Sequence, residues 1–130
     1  MKSGNAKELA ENRKSSLEVG KKAIIISRKR AAYRTEALRL MGTYYWLIGR
    51  QKKALRWWSR SICEGERVGV RLELSRTYME VAKRLLEPTS KFKELNGMKA
   101  EVYLEKARTM FEEMDLQWDL DELDRMAAYS

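Results

Sequence analysis

Apolar residues recur along most of this chain with a helical period of about 3.6 residues, and no stretch shows the two-residue alternation of a strand. Residues Ala6 to Ser27 predict a first helix, with Asn5 as its N-cap and weak amphipathicity through Leu17 and Ile24. Tyr33, Ala37, Leu40, Met41, Tyr44, Tyr45 and Ile48 fall at offsets of 0, 4, 7, 8, 11, 12 and 15. That spacing predicts one apolar face on a second helix, stopped by Gly49. Ala54, Leu55, Trp58, Ser61, Ile62 and Gly65 mark a third, ending near Arg67 with Gly69 in the turn. Leu72, Ser75, Tyr78, Met79, Ala82, Leu85 and Leu86 mark a fourth, which Pro88 prevents from continuing. A long connection over 88–97 carries the Asn96-Gly97 turn signal. A fifth helix follows through Ala100, Tyr103, Leu104, Ala107, Met110, Phe111 and Met114, and Leu116, Leu120, Leu123 and Ala127 suggest a short sixth. Short loops make consecutive helices antiparallel, so the expected fold is all-α, about six helices stacked as hairpins.

Composition removes several functions. The 130 residues suit a single domain over 1–130, and 44% hydrophobic with 35% charged residues describes a globular chain. Histidine is absent, which takes away the usual general base and the commonest transition-metal ligand. Cys63 is the only cysteine, so neither an intrachain disulfide nor a cysteine metal cage can form. With no histidine to activate it, Cys63 reads as a small core residue, and Ser59 and Ser61 lack a base. The carboxylates of Glu112-Glu113 and Asp119-x-Asp121-Glu122-x-Asp124 lack the glycine and spacing of a calcium loop. No catalytic residue, metal or cofactor is therefore expected. Neither a signal-like nor a membrane-spanning run is visible, and a cytoplasmic location is the default expectation.

Self-similarity carries more information. Gly42-x-x-Tyr45 recurs as Ser75-x-x-Tyr78, and Ala54-x-x-x-Trp58-x-x-Ser61 as Ala100-x-x-x-Leu104-x-x-Ala107. Small residues at fixed places with large ones between them describe two closely packed helices. In these residues the chain resembles the tetratricopeptide repeat. The first copy, over 34–67, reads Leu38, Met41-Gly42, Tyr45, Gly49, Ala54, Trp58 and Ser61, with Glu66 where proline is usual. The second, over 68–115, carries extra residues at 88–97 between its helices. Ser16, Gly20 and Ala23 mark residues 6–30 as the remnant of a preceding repeat, and 116–128 closes the array. The tract from Tyr103 to Met114, with Trp118-Asp119-Leu120, also resembles repeats closing large bacterial signalling ATPases, kinases and nucleotide cyclases. That likeness implies a detached or C-terminal piece of a longer regulatory protein.

The resemblance implies a short α-solenoid that binds a peptide or helix of a partner protein in a groove lined by the first helix of each hairpin. Carried onto this chain, the groove positions are Glu36, Arg39, Thr43, Trp46 and Leu47, then Leu72, Arg76, Met79, Glu80 and Lys83. Trp46 and Met79 would be apolar anchors, with Arg39, Arg76 and Lys83 favouring an acidic ligand. Trp46 reads equally well as packing against a missing repeat, and Trp57 as packing or as an exposed anchor. Tyr45, Trp58, Tyr78 and Leu104 are expected in the core. Two repeats and a remnant without polar caps also lead us to expect self-association, marginal stability or docking onto an upstream domain.

Charge adds one alternative. The net +8 is uneven: residues 1–60 hold 16 Lys+Arg against 4 Asp+Glu, and residues 61–130 hold 11 against 15. Lys21, Lys22, Arg28, Lys29, Arg30 and Arg34, with Lys52-Lys53, concentrate the positive charge. They are candidates for nucleic-acid phosphates, with Tyr33, Trp46 or Trp57 stacking on bases. Solvated surface and head-to-tail association explain the same asymmetry.

Overall fold

The computed structural model describes residues 2–128, and their side chains from Lys7 onward. It contains five helices: α1 (Lys2–Leu47), α2 (Gln51–Val68), α3 (Arg71–Leu85), α4 (Ala100–Glu113) and α5 (Gln117–Ala128). Between α3 and α4 lie the two-residue strands β1 (Glu94–Leu95) and β2 (Met98–Lys99). The all-α expectation holds, with two differences.

The first two expected helices are one. No glycine or proline interrupts Ser27 to Tyr33, and Arg28, Lys29, Ala31 and Ala32 favour helix, so α1 runs through. It begins at Lys2, which places Asn5 inside it instead of at its cap. The second difference is the hairpin. Asn96 and Gly97 both take positive φ, 53° and 76°, the backbone a two-residue hairpin turn requires. Glu94 therefore pairs with Lys99 and Leu95 with Met98. Strands this short leave no alternation to detect.

The chain divides into two units, residues up to Arg30 and residues from Ala31 onward. In the first, every described side chain from Lys7 to Arg30 is exposed, including Leu9, Leu17, Val19, Ile24, Ile25 and Ile26. The remnant positions Ser16, Gly20 and Ala23 share that exposure.

The second unit holds the core. Trp58, Tyr103, Phe111, Leu123 and Val81 are fully buried, with Ile62, Tyr78 and Leu85 around them. Trp58 of α2 lies on Gly42 of α1: a Cβ there would fall 2.3 Å from the indole. Its Nε1 donates to the Arg39 carbonyl at 3.1 Å. A smaller polar seam runs beside it. Thr35 donates to Ala31 O, Ser61 Oγ donates to Thr35 O at 2.9 Å, and Ser61 meets Thr77 at 3.0 Å. All three hydroxyl residues are fully buried, which stitches α1, α2 and α3 together with every hydroxyl paired. Gly69 closes α2 in the left-handed conformation, its N–H returning to Gly65 O at 2.9 Å.

Several core assignments shift by one position. Tyr103 fills the interior beside Tyr78 while Leu104 is half-buried. The Tyr103 hydroxyl donates to Leu95 O at 2.6 Å, anchoring the hairpin to α4. Tyr45 is half-buried, stacked on Trp57 at 6.2 Å with Lys53 above its ring. Cys63 is exposed, because it follows Ile62 by about 100° round the helix and leaves the buried face. The largest correction concerns α1. Its expected apolar face is mostly in solvent: Tyr33, Ala37, Leu40, Tyr44 and Ile48 are exposed, and Ala31, Thr35, Gly42 and Trp46 are the residues the fold buries.

Among the described residues, no helix is long and apolar enough to cross a membrane.

Candidate functional site

The ends of α3 and α5 and the turn after α3 enclose a cleft of about 380 Å³. Its apolar lining is Met79, Leu86, Pro88 and Met126, and its charged rim is Lys83, Glu87, Glu122 and Arg125. Pro88 shapes it by ending α3, so that the chain turns away and Leu86 and Glu87 become a wall. The rim carboxylates are occupied. Glu87 accepts from Trp46 Nε1 at 2.8 Å and from Arg84 at 2.7 Å, while Glu122 pairs with Arg125 at 2.7 Å. Burial disfavours the Arg84 charge, yet Glu80 and Glu87 on either side outweigh it and raise its pKa. Lys83 makes no ion pair among the described residues and is the free charge at this cleft.

A chain of ion pairs links alternate helices next to the cleft. Arg39 of α1 reaches Glu73 of α3 at 3.1 Å, and Arg76 of α3 reaches Asp119 of α5 at 3.2 Å. Glu73 also lies 4.0 Å from Arg76. Glu73 and Asp119 are buried, so each carboxylate is held by its cation instead of by water.

Of the ten expected groove residues, the structure brings Met79 and Lys83 into this cleft. Trp46 is a correction: only 5% exposed, tilted against Trp58 at 5.4 Å and hydrogen-bonded to Glu87, it is interior and presents no anchor. Arg39 and Arg76 are already paired with carboxylates, which reduces their pull on an acidic ligand. Glu80 is held by Arg84 at 2.6 Å. Glu36 and Thr43 are half-buried, and the Thr43 hydroxyl has no hydrogen-bond partner. Leu72 and Leu47 are exposed, Leu47 on the face of α1 that carries Leu40 and Tyr44. Leu86, Arg125 and Met126 were missed, because the sequence gives no sign that α5 returns beside the end of α3.

No family model, curated protein or solved structure matches this chain. The functional reading therefore rests on the geometry.

A second cleft differs in kind. Gly49, Arg50, Gln51, Lys52, Lys53, Arg56, Lys91 and Phe92 line about 470 Å³ at the start of α2. It contains no carboxylate, and its cations form no ion pair among the described residues. Gln51 ties the two walls together, donating to Thr89 O at 3.0 Å and accepting from Lys91 N at 2.8 Å. Of the phosphate candidates named from sequence, Lys52 and Lys53 line this cleft and the others lie elsewhere. Lys21, Lys22, Arg28, Lys29 and Arg30 are exposed on the first unit, and Arg34 is exposed on α1, 3.7 Å from Glu64. Of the possible base-stacking aromatics, Tyr33 is exposed, Trp46 is interior, and Trp57 already has Tyr45 stacked on it and the Arg60 guanidinium over its ring.

Proposed function

We propose that this chain is a non-catalytic protein-binding module of tetratricopeptide type, in which the α3–α5 cleft holds an amphipathic helix or peptide of a partner protein. The observation that carries the reading is the cleft itself: an apolar floor of Met79, Leu86 and Met126 with one unpaired cation, Lys83, at its rim. Methionines adapt to differently shaped apolar side chains, which suits a peptide-binding surface. A fitting ligand places apolar residues on the floor and one carboxylate against Lys83. Support for a solenoid comes from the Arg39–Glu73 and Arg76–Asp119 pairs, which join alternate helices as stacked hairpins would. Selection of peptides from a random library against the full chain tests this. Selected sequences should be amphipathic with an acidic residue, and Met79→Glu with Lys83→Glu should weaken them about a hundredfold. Unchanged binding to that double variant would overturn the reading.

The basic cleft favours a second reading, contact with nucleic-acid phosphates through Arg50, Lys52, Lys53, Arg56 and Lys91. Binding of a single-stranded oligonucleotide should then fall steeply with salt, and neutralising three of these cations should lower the log–log slope by about 2. Loss of binding on neutralising Lys21, Lys22 and Lys29 instead would exclude this cleft.

A further inference from the structure

From Ala31 to Leu47, α1 carries two unlike faces: its own unit covers one of small and polar residues with Trp46, and leaves an apolar one in solvent. Ala31, Thr35, Gly42 and Trp46 are buried. About 200° round the helix, Tyr33, Leu40, Tyr44 and Leu47 are 70%, 52%, 54% and 67% exposed, with Ala37 exposed among them. A contiguous stripe of this kind marks an interaction surface, unlike apolar residues scattered singly. Its spacing identifies the kind of surface. Tyr33, Ala37, Leu40, Tyr44 and Leu47 are separated by four, three, four and three residues, the seam of a coiled coil.

We propose that this seam binds a second copy of the chain, α1 against α1, in antiparallel orientation. The sizes along the seam select the occupant. Of the alternating positions, Tyr33, Leu40 and Leu47 form one set, all large. Ala37 and Tyr44 form the other, with the one small residue. A parallel pair brings like positions together, so Ala37 meets Ala37 of the second copy and leaves a gap. An antiparallel pair places each position of one set opposite the other, so Ala37 receives a large side chain. The seam is thus complementary to itself across a two-fold axis. Tyrosine hydroxyls at its edge stay in water while their rings are covered. Arg34 and Glu36 beside the stripe keep it narrow, which suits one helix better than a membrane surface. The α3–α5 cleft uses other helices and stays open.

Sedimentation equilibrium on the full chain, from about 1 to about 100 μM, reads the association directly. The expected result is a monomer–dimer equilibrium that Leu40→Glu with Tyr44→Glu weakens at least about tenfold, helix content by circular dichroism being retained. Tyr33→Lys, also at an exposed position, is the second probe and should act the same way. Orientation follows from Cys63→Ser combined with Leu47→Cys, since the exposed native thiol would otherwise cross-link. An antiparallel pair keeps the two introduced thiols apart and gives no disulfide-linked dimer. A monomer at every concentration, or a dimer indifferent to both seam variants, overturns the proposal. Efficient disulfide formation at position 47 overturns its antiparallel orientation.

Discussion

The two faces of α1 between Ala31 and Leu47 differ in the opposite sense from what hydrophobicity suggests. The face against α2 and α3 is made of small and polar residues, Ala31, Thr35 and Gly42, with Trp46 as its one large side chain. The face in solvent is built of Tyr33, Leu40, Tyr44 and Leu47. Apolar surface alone would bury the second set. Close approach decides instead: Gly42 lets the Trp58 ring rest on the α1 backbone, and Thr35 lets Ser61 reach a main-chain carbonyl. Dense contact and paired hydroxyls hold the inner face, and the outer face is left for a partner.

The strongest test of that contrast removes the ring that fills the inner face. Trp58→Ala deletes a fully buried side chain and should lower stability by about 4 kcal/mol in urea denaturation. Tyr44→Ala on the outer face, measured where the chain is monomeric, should change it by no more than about 0.5 kcal/mol. Equal losses would mean that the outer face is buried within a single chain. Next comes Gly42→Ala. The added methyl would lie 2.3 Å from Trp58, a buried and hydrogen-bonded ring, so the expected loss is about 3 kcal/mol despite alanine's better helix propensity. A stabilised variant would show that Trp58 does not rest on this glycine.

This contrast also marks where sequence reasoning works and where it fails. The bounds of α2 and α3 and the start of α4 were legible because Gly49, Gly69, Pro88 and Asn96-Gly97 act locally, through backbone conformation. Gly42 and Trp58 were legible as small and large positions of the repeat pattern, and the structure brings them together. Which face of α1 is buried was not, since periodicity locates an apolar stripe and is silent on what covers it. The exposure of Cys63 and the partial exposure of Leu104 were missed for a related reason: neighbouring helical positions differ by about 100°, and packing chooses between them. The α3–α5 cleft depends on contacts between residues far apart in sequence, so only Met79 and Lys83 were anticipated.

Buried polar groups supply a smaller test through pH. Burial pushes the Tyr103 hydroxyl up from 10.0 to about 12, and the Glu66 carboxylate adds to the shift. Tyr78 moves the same way, through burial and then its hydrogen bond to Glu66 at 2.7 Å. The folded state thus favours the neutral phenol more than the unfolded state does. Its contribution is complete below pH 10 and is lost as pH rises from about 10 to about 12. The urea midpoint should therefore fall over that window. Tyr103→Phe should flatten part of the fall while losing about 1 kcal/mol at neutral pH with the Leu95 hydrogen bond. An identical alkaline profile in the variant would remove Tyr103 from the account.

The smallest expected effect compares glycine with glycine inside one helix. Gly20 and Gly42 both lie in α1, yet a Cβ at Gly20 would meet nothing within 4 Å. No packing opposes the substitution there, so backbone entropy alone sets the sign. Gly20→Ala should stabilise local helix by about 0.5–1 kcal/mol, where Gly42→Ala destabilises. Because every described side chain from Lys7 to Arg30 is exposed, the gain should appear as slower amide exchange around residue 20. In the monomer the urea transition of the Ala31–Ala128 core should stay in place. A Gly20→Ala variant that shifts the core transition in the monomer would show residues 7–30 to be coupled to that core, and the contrast between the two glycines would then rest on more than local packing.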